Sequence, residues 1–460
     1  MLKVKTNVIG FDYDIHSLVK AFYPEEEVRV YSEEECDEPD VTFDFRGAKP
    51  DEDRPLYKNE FKIKLYENLS KATGKTLPWG TLTGIRPTKL PMEMIQEGKS
   101  DEEIREKLKS TYLVSDEKID LSIEIAKREL FALRDIDAKE GYSLYIGIPF
   151  CPTTCLYCSF TSYPIITMKK VVNDYLDALD KEIDFVAKEF AGKKLDTVYI
   201  GGGTPTTLEA SELDRLLTKI EESLDLSHIK EFTVEAGRAD SITKEKLETL
   251  KKHKVTRISV NPQTMNEETL KFIGRKATAA ETIEAYKLAR SLGFDNINMD
   301  IILGLPGEGA GDVARTMEII KELKPDNLTV HSLAIKRASA LSQFIEKNGM
   351  SMINNTDETM AIAAKGAADM GLKPYYLYRQ KNMSGNFENV GYAHEGKYGI
   401  YNILIMEELQ SIVALGAGTV TKRVYGNGRI ERCDNVKDVK LYIEKIDEMI
   451  DRKRILFEGE

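Results

Sequence analysis

At 460 residues the chain is too long for one ordinary hydrophobic core, so its length predicts a large domain with additions at one or both ends. An apolar content of 42% is ample for globular folding, and a formal net charge of -12 disfavours a nucleic-acid binder that relies on bulk electrostatics. No apolar run approaches the roughly 18 residues of a membrane helix and the amino terminus has no signal-type apolar core, so a cytoplasmic protein without a membrane span is expected.

Residues 1–140 read as an α+β accessory domain. "VTFDFRG" alternates like a short strand, and residues 58–73 and 115–133 carry apolar side chains at helical spacing among many charges. Between those helices lies "LPWGTLTGIRPTKL", punctuated by proline and glycine and holding the only tryptophan, Trp79. It reads either as a structural loop or as a contact surface for the next domain. From Gly141 the rhythm changes. "YSLYIGI", "DTVYI", "EFTVEAG", "TRISVNP", "NINMDIILGLPG" and "NLTVHSL" read as six strands with helices between them, the first helix at 169–189. Such alternation is the sequence form of a parallel sheet with right-handed crossovers. Polar and glycine-rich residues recur where the strands end, which favours an α/β fold of the partial TIM-type (β/α)6 barrel kind across residues 141–335, with its chemistry at the carboxyl ends. Residues 336–460 are expected to form an added module: a helix at 357–370, the strand-like "PYYLYRQ" and "GIYNILIM", a glycine-rich "ALGAGTV" and a charged helix at 436–452.

Three of the five cysteines stand within eight residues, in "YIGIPFCPTTCLYCSF". An odd number of cysteines argues against a disulfide framework and leaves metal or redox chemistry. Structural zinc usually takes four ligands in C-x2-C pairs, whereas Cys151, Cys155 and Cys158 lack a fourth, Cys36 and Cys433 lying far away in sequence. Iron–sulfur clusters are held by cysteine thiolates, normally four, so three leave one iron open. Zinc stays as the plainer alternative.

Other strand ends carry further candidates. "GGGTP" lacks side chains, so backbone can approach a ligand there. Glu235 closes the third strand in "TVEAG", Gln263 follows the fourth in "RISVNPQTM", Arg275 lies in "FIGRKAT", and Asp300 sits inside the apolar "NMDIILGLPGE", where an unpaired carboxylate is costly. Taken singly, each has an ordinary reading as a turn, a cap or an ion-pair partner. Together with the C-x3-C-x2-C loop and its aromatic Tyr157, they resemble the radical S-adenosylmethionine (SAM) superfamily. The resemblance implies a 4Fe-4S cluster on Cys151, Cys155 and Cys158, with SAM chelating the open iron. It also implies a SAM site of Tyr145, Gly202, Gly203, Thr204, Glu235, Gln263, Arg275 and Asp300, with Arg275 toward the SAM carboxylate and Asp300 toward the ribose. Tyr157 and Phe160 are then expected to shield the cluster from water.

Within that superfamily, "LYIGIPFC", "GGGTPT", "RISVNPQ" and "MDIILGLPGE" resemble, in order, the signatures of the oxygen-independent coproporphyrinogen III dehydrogenase group. The two ends of the chain are similar to its HemZ-type branch. What this implies is oxidative decarboxylation of coproporphyrinogen III propionates to vinyl groups in anaerobic haem synthesis, with a low-potential donor such as flavodoxin or ferredoxin. No side chain is then catalytic beyond the cluster and the radical made from SAM. Three positions depart from the group. Phe160 stands where dehydrogenases carry a further cysteine, as it does in haem-carrying relatives; Gly147 replaces a common histidine; Asn261 and Pro262 precede Gln263 where glycine is usual. A haem carrier on the same scaffold, or radical chemistry on another tetrapyrrole, are the alternatives. For substrate carboxylates, "HSLAIKRAS" offers His331, Lys336 and Arg337, and "YLYRQKN" offers Tyr378, Arg379 and Lys381; Arg337 and Arg379 are the expected contacts, surface exposure being the plainer reading.

Overall fold

Apolar residues three and four apart, such as Ile15, Leu18, Val19 and Phe22, give helix Asp12–Phe22 a single buried face in the computed structural model, which describes residues 1–48, 52–336, 339–349, 352–380, 383, 387–426 and 428–458. By internal contacts the chain divides into two units, Met1–Leu130 with Leu377–Asn389, and Phe131–Tyr376 with Val390–Glu460. No helix among the described residues is long and apolar enough to cross a membrane.

In the first unit, strands β1 (Leu2–Thr6), β2 (Val28–Tyr31) and β3 (Val41–Phe43) form a parallel sheet in the order β2-β1-β3. The second helix, Arg54–Thr73, starts at an Asp53 cap and stops at Gly74, whose φ of 68° suits the left-handed C-cap. Its Phe61 and Leu65 join Ile15, Leu18 and Phe22 in one core. Trp79 is 1% exposed and donates through Nε1 to Glu388 Oε2 at 2.8 Å, while Lys118 Nζ reaches Glu388 Oε1 at 2.8 Å. The tryptophan segment is therefore packed inside its own unit, as a structural loop.

The second unit is built on strands β4 (Gly141–Ile148), β5 (Phe150–Cys151), β6 (Tyr163–Pro164), β7 (Lys194–Gly202), β8 (Glu231–Glu235), β9 (Arg257–Ser259), β10 (Ile297–Leu303), β11 (Asn327–Ser332), β12 (Lys373–Tyr378), β13 (Asn389–Ala393), β14 (Ser411–Leu415), β15 (Val420–Val424) and β16 (Ile430–Asp434). Eleven of these form a sheet in the order β12-β13-β11-β10-β9-β8-β7-β4-β14-β15-β16. The six strands read from the sequence are neighbours and parallel, and helices such as Val172–Glu189, Ala210–Ser223 and Ala310–Leu323 carry the crossovers. The result is the expected α/β architecture. Its ladder is open, ending at β12 and β16 among the described residues.

The last third of the chain departs from expectation. It forms no unit of its own: β14 lies parallel beside β4, pairing Ser411 with Tyr142 through Leu415 with Ile146, while β13 and β15 add antiparallel strands. "GIYNILIM" is a helix, Ile400–Glu407, and not a strand. It buries Tyr401, Leu404 and Glu407, spaced by three, and a short apolar run does not separate helix from strand by pattern alone.

A buried polar knot fastens this region behind β4. Glu182, 0% exposed on helix Val172–Glu189, accepts from Lys453 Nζ at 2.6 Å, Asn435 Nδ2 at 3.0 Å, the Gly416 amide at 2.7 Å and Tyr442 OH at 2.5 Å. Two turns earlier on that helix face, Tyr175 OH donates to Gly147 O at 2.6 Å and accepts from the Ala417 amide at 3.0 Å. A β-carbon on Gly147 would stand 2.6 Å from Thr419 Cγ2, so the turn after β14 fills the space a histidine would need there.

Candidate functional site

Because β4, β7, β8, β9 and β10 are successive neighbours, their carboxyl ends bring together five segments that the sequence keeps far apart. The cysteine loop leaves β4 and is closed at its base by the β5–β6 pair and by the Tyr163 amide donating to Pro149 O at 2.8 Å. Cys151 and Cys155 are buried and Cys158 is half-buried; none forms a disulfide. The loop leans on its neighbours: Cys151 Sγ lies 3.5 Å from Thr204 Oγ1, and the Leu156 amide donates to Ile273 O at 3.0 Å. Burial pushes the Cys151 thiol up to about 11 and raises that of Cys158. Bound cations reverse that effect, since a coordinated thiol is deprotonated.

The glycines after β7 are there for space. Gly202 has φ of 106°, and a β-carbon on Gly203 would stand 2.6 Å from Phe150 O and 3.0 Å from Cys151 Sγ. They leave a bare backbone cradle beside the first cysteine.

Behind it, three tyrosines stack. Tyr145 and Tyr199 face each other across the β4–β7 register with ring centroids 6.0 Å apart, and Tyr401 lies 4.5 Å from Tyr199. Tyr199 OH donates to Glu235 Oε1. Desolvation, with Asp300 nearby, moves the Glu235 carboxyl up to about 7 against the pull of that hydrogen bond, Arg257 and His331. An unfolded glutamate ionises near 4.5, so as pH rises the unfolded chain releases this proton first and the folded state loses stability between the two values. Relative to Glu235→Gln, the wild-type protein should lose up to about 1.4 kcal/mol per pH unit from about pH 4.5 to 7, and nothing further above. Urea unfolding of both proteins across that range checks it.

Asp300 has the partners that its place in an apolar strand demands. Asn298 Nδ2 donates to Oδ1 at 2.6 Å and His331 Nε2 stands 3.8 Å from Oδ2. Desolvation works to raise this carboxyl, and His331 and Asn298 outweigh it, holding it below the ordinary value. Gln263 has φ of 67°, a strained setting for a side-chain residue, fixed by its amide donating to Asp300 O and its carbonyl accepting from Ile302 N, both at 2.9 Å. Arg275 Nη1 donates to Asn261 O at 2.6 Å, and Nη2 reaches Tyr157 OH at 3.4 Å. This guanidinium thus ties the end of β9 to the cysteine loop.

Several buried polar atoms here have no partner within the protein: Ser259 Oγ, Asn261 Oδ1, Gln263 Oε1 and Arg275 Nε. Buried polar groups are almost always hydrogen-bonded, so such a group of orphans beside a glycine cradle and three thiols suits a polar ligand held against a thiolate-bound cluster. No three His, Cys, Asp or Glu side chains among the described residues converge tightly enough for a single metal ion. Thiolates that each bind a separate iron stand further apart than the ligands of one tetrahedral zinc.

The remaining expectations fare differently. Phe160 is 75% exposed, so it does not cover the cysteine loop; Tyr157 is half-buried. Arg379 is not on the surface: it belongs to the first unit, is 6% exposed and donates from Nη1 to Leu82 O at 2.6 Å. Arg337 and Lys381 lie outside the described residues. Sequence reasoning missed Tyr199, Tyr401 and Arg238. Strand alternation puts Tyr199 level with Tyr145, a signal that was present; Tyr401 was hidden by the strand reading of its helix.

Residues 145–320 match the profile of the Radical SAM superfamily. The chain is 45% identical over 395 residues to the oxygen-independent coproporphyrinogen-III oxidase-like protein HemZ of Bacillus subtilis (strain 168), covering 85% of this chain and 79% of that protein. It is 38% identical over 194 residues to the heme chaperone HemW of Lactococcus lactis, covering 42% of this chain and 49% of that one. Among solved structures, coproporphyrinogen III oxidase (HemN) from Escherichia coli, whose structure is described as that of a radical SAM enzyme, superposes with a TM-score of 0.55 at 22% identity, over 69% of this chain and 72% of its own.

Proposed function

We propose, for a chain that belongs to the radical SAM superfamily and within it to the family of oxygen-independent coproporphyrinogen-III oxidase-like proteins, that it is an oxidoreductase converting propionates of coproporphyrinogen III into vinyl groups without oxygen. What carries this reading is the arrangement at the strand ends: three unlinked thiols on one loop, a glycine cradle beside them, and unpartnered polar atoms of Ser259, Asn261, Gln263 and Arg275 alongside. When bound there, a 4Fe-4S cluster and SAM would supply the radical chemistry that this oxidative decarboxylation needs.

The chain's own residues do the holding. Cys151, Cys155 and Cys158 ligate iron. Gly202, Gly203 and Thr204 admit the nucleotide's methionine end, and Glu235 and Gln263 accept hydrogen bonds from its polar groups. Arg275 offers Nε to an anionic group, and Asp300, oriented by Asn298 and His331, accepts from ribose hydroxyls. The Tyr145–Tyr199–Tyr401 stack excludes water from the floor of the site. The reductant is a low-potential protein of the flavodoxin or ferredoxin kind.

One observation favours a second reading, a haem carrier: Phe160, exposed, occupies the position of the further cysteine. Anaerobically reconstituted protein given dithionite, SAM and coproporphyrinogen III separates the two. Enzymic turnover predicts 5′-deoxyadenosine that rises with substrate, together with protoporphyrinogen. Stable haem binding, with 5′-deoxyadenosine unmoved by coproporphyrinogen, would leave the carrier.

A further inference from the structure

Just past the end of β8, Arg238 is 4% exposed, and all three of its guanidinium nitrogens are engaged. Nε and Nη2 donate to Asp240 Oδ1 and Oδ2 at 3.0 and 2.7 Å, a bidentate ion pair. Nη1 turns the other way, into the cysteine loop: it donates to Thr153 O and Thr153 Oγ1, both at 2.9 Å, and to Cys155 Sγ at 3.7 Å. Thr153 Oγ1 in turn donates to Gly274 O at 2.9 Å. Balancing a buried cation requires Asp240 and nothing more. The three bonds of Nη1 serve the loop, and one of them ends on a sulfur that the proposed function assigns to iron.

We infer that Arg238 is a positioning residue for the iron–sulfur cluster: it pins Thr153 between the first two cysteines and aims a cationic N–H at the sulfur of Cys155, which holds that ligand and eases reduction. This rests on the reading that Cys151, Cys155 and Cys158 carry the cluster. Two physical effects act together. A thiolate accepts from a guanidinium more strongly than a neutral thiol does. Reduction adds negative charge to the cluster, so a nearby cation and a hydrogen bond to a ligand sulfur favour the reduced form and raise the potential. Asp240 offsets part of that cation, so removing its charge should act in the opposite direction from removing Arg238.

That opposition is the test. The full chain and its Arg238→Met, Arg238→Lys and Asp240→Asn variants are reconstituted anaerobically, then compared by iron content, by iron loss to a chelator, and by an EPR-monitored redox titration. Arg238→Met is expected to have a lower cluster potential than wild type and to lose iron roughly 10-fold faster or more. Asp240→Asn is expected to have a higher potential. Arg238→Lys keeps the charge without the fork, so it should hold a potential close to wild type while losing iron faster; should Arg238→Met take up no iron, this variant and Asp240→Asn decide the matter. A role confined to folding would weaken loading without potential shifts of opposite sign, and shifts absent or in one direction overturn the inference. Wild-type protein that takes up no iron overturns the cluster reading itself; loaded wild type with unchanged variants overturns only the role of Arg238.

Discussion

Cys155→Ser should leave the protein folded and take away its iron. Cys155 is 9% exposed and nearly isosteric with serine, so the loop keeps its backbone bond from the Cys158 amide to Cys155 O at 3.1 Å, and far-UV circular dichroism should be unchanged. On the proposed reading, what goes is one of the three thiolates that hold the cluster, in a loop with no fourth cysteine. Iron after anaerobic reconstitution should fall from about four per chain to a small residue, and SAM cleavage to the reagent blank. Cys433→Ser, on the outer strand β16, serves as the control and should retain both. Iron content and 5′-deoxyadenosine measured on the same samples check this; a fully loaded Cys155→Ser protein would remove the thiol trio as the cluster site.

Lys453→Met should be the most damaging single change away from the strand ends. Lys453 and Glu182 are both 0% exposed and 2.6 Å apart, so deleting the lysine charge leaves a buried carboxylate with neutral donors only. Breaking a buried pair in this way costs about 3–5 kcal/mol, whereas replacing both partners is often close to neutral. The double variant Glu182→Gln/Lys453→Met, in which the Gly416 amide still has an acceptor, should therefore recover most of the loss. Chemical denaturation of the three proteins gives the comparison, and a single variant as stable as wild type would show that the pair contributes little.

The legible part of the site was the part carried by short strand-end motifs. The cysteine loop, Gly202, Gly203, Glu235, Gln263 and Asp300 each follow directly from a strand that its own sequence announces, and the parallel order then places them side by side. Contacts that jump across the chain were not legible. Arg238 meets Thr153 from a different strand end, and nothing local to "EAGRAD" marks it. Arg379 and Lys381 looked alike as cations near a strand, yet Arg379 is committed to a backbone carbonyl in the first unit. The fold was legible where strands and helices alternate strictly and was not where the pattern loosens. A short apolar run after Gly399 reads equally as helix or strand, and the pairing of β14 with β4 has no local signature. Gly147 is the reverse case: a departure visible in sequence whose reason, the methyl group of Thr419, only the structure supplies.

The strand that launches the cysteine loop borders on β7, which follows soon after it in the chain, and on β14, which comes far later. During synthesis, then, β4 stays a raw edge until Ser411–Leu415 have left the ribosome, and the thiols hang from an unfinished wall. On the proposed cluster reading, a chain cut short before Ser411 would keep Cys151, Cys155 and Cys158 and lack the strand that borders β4 on that side.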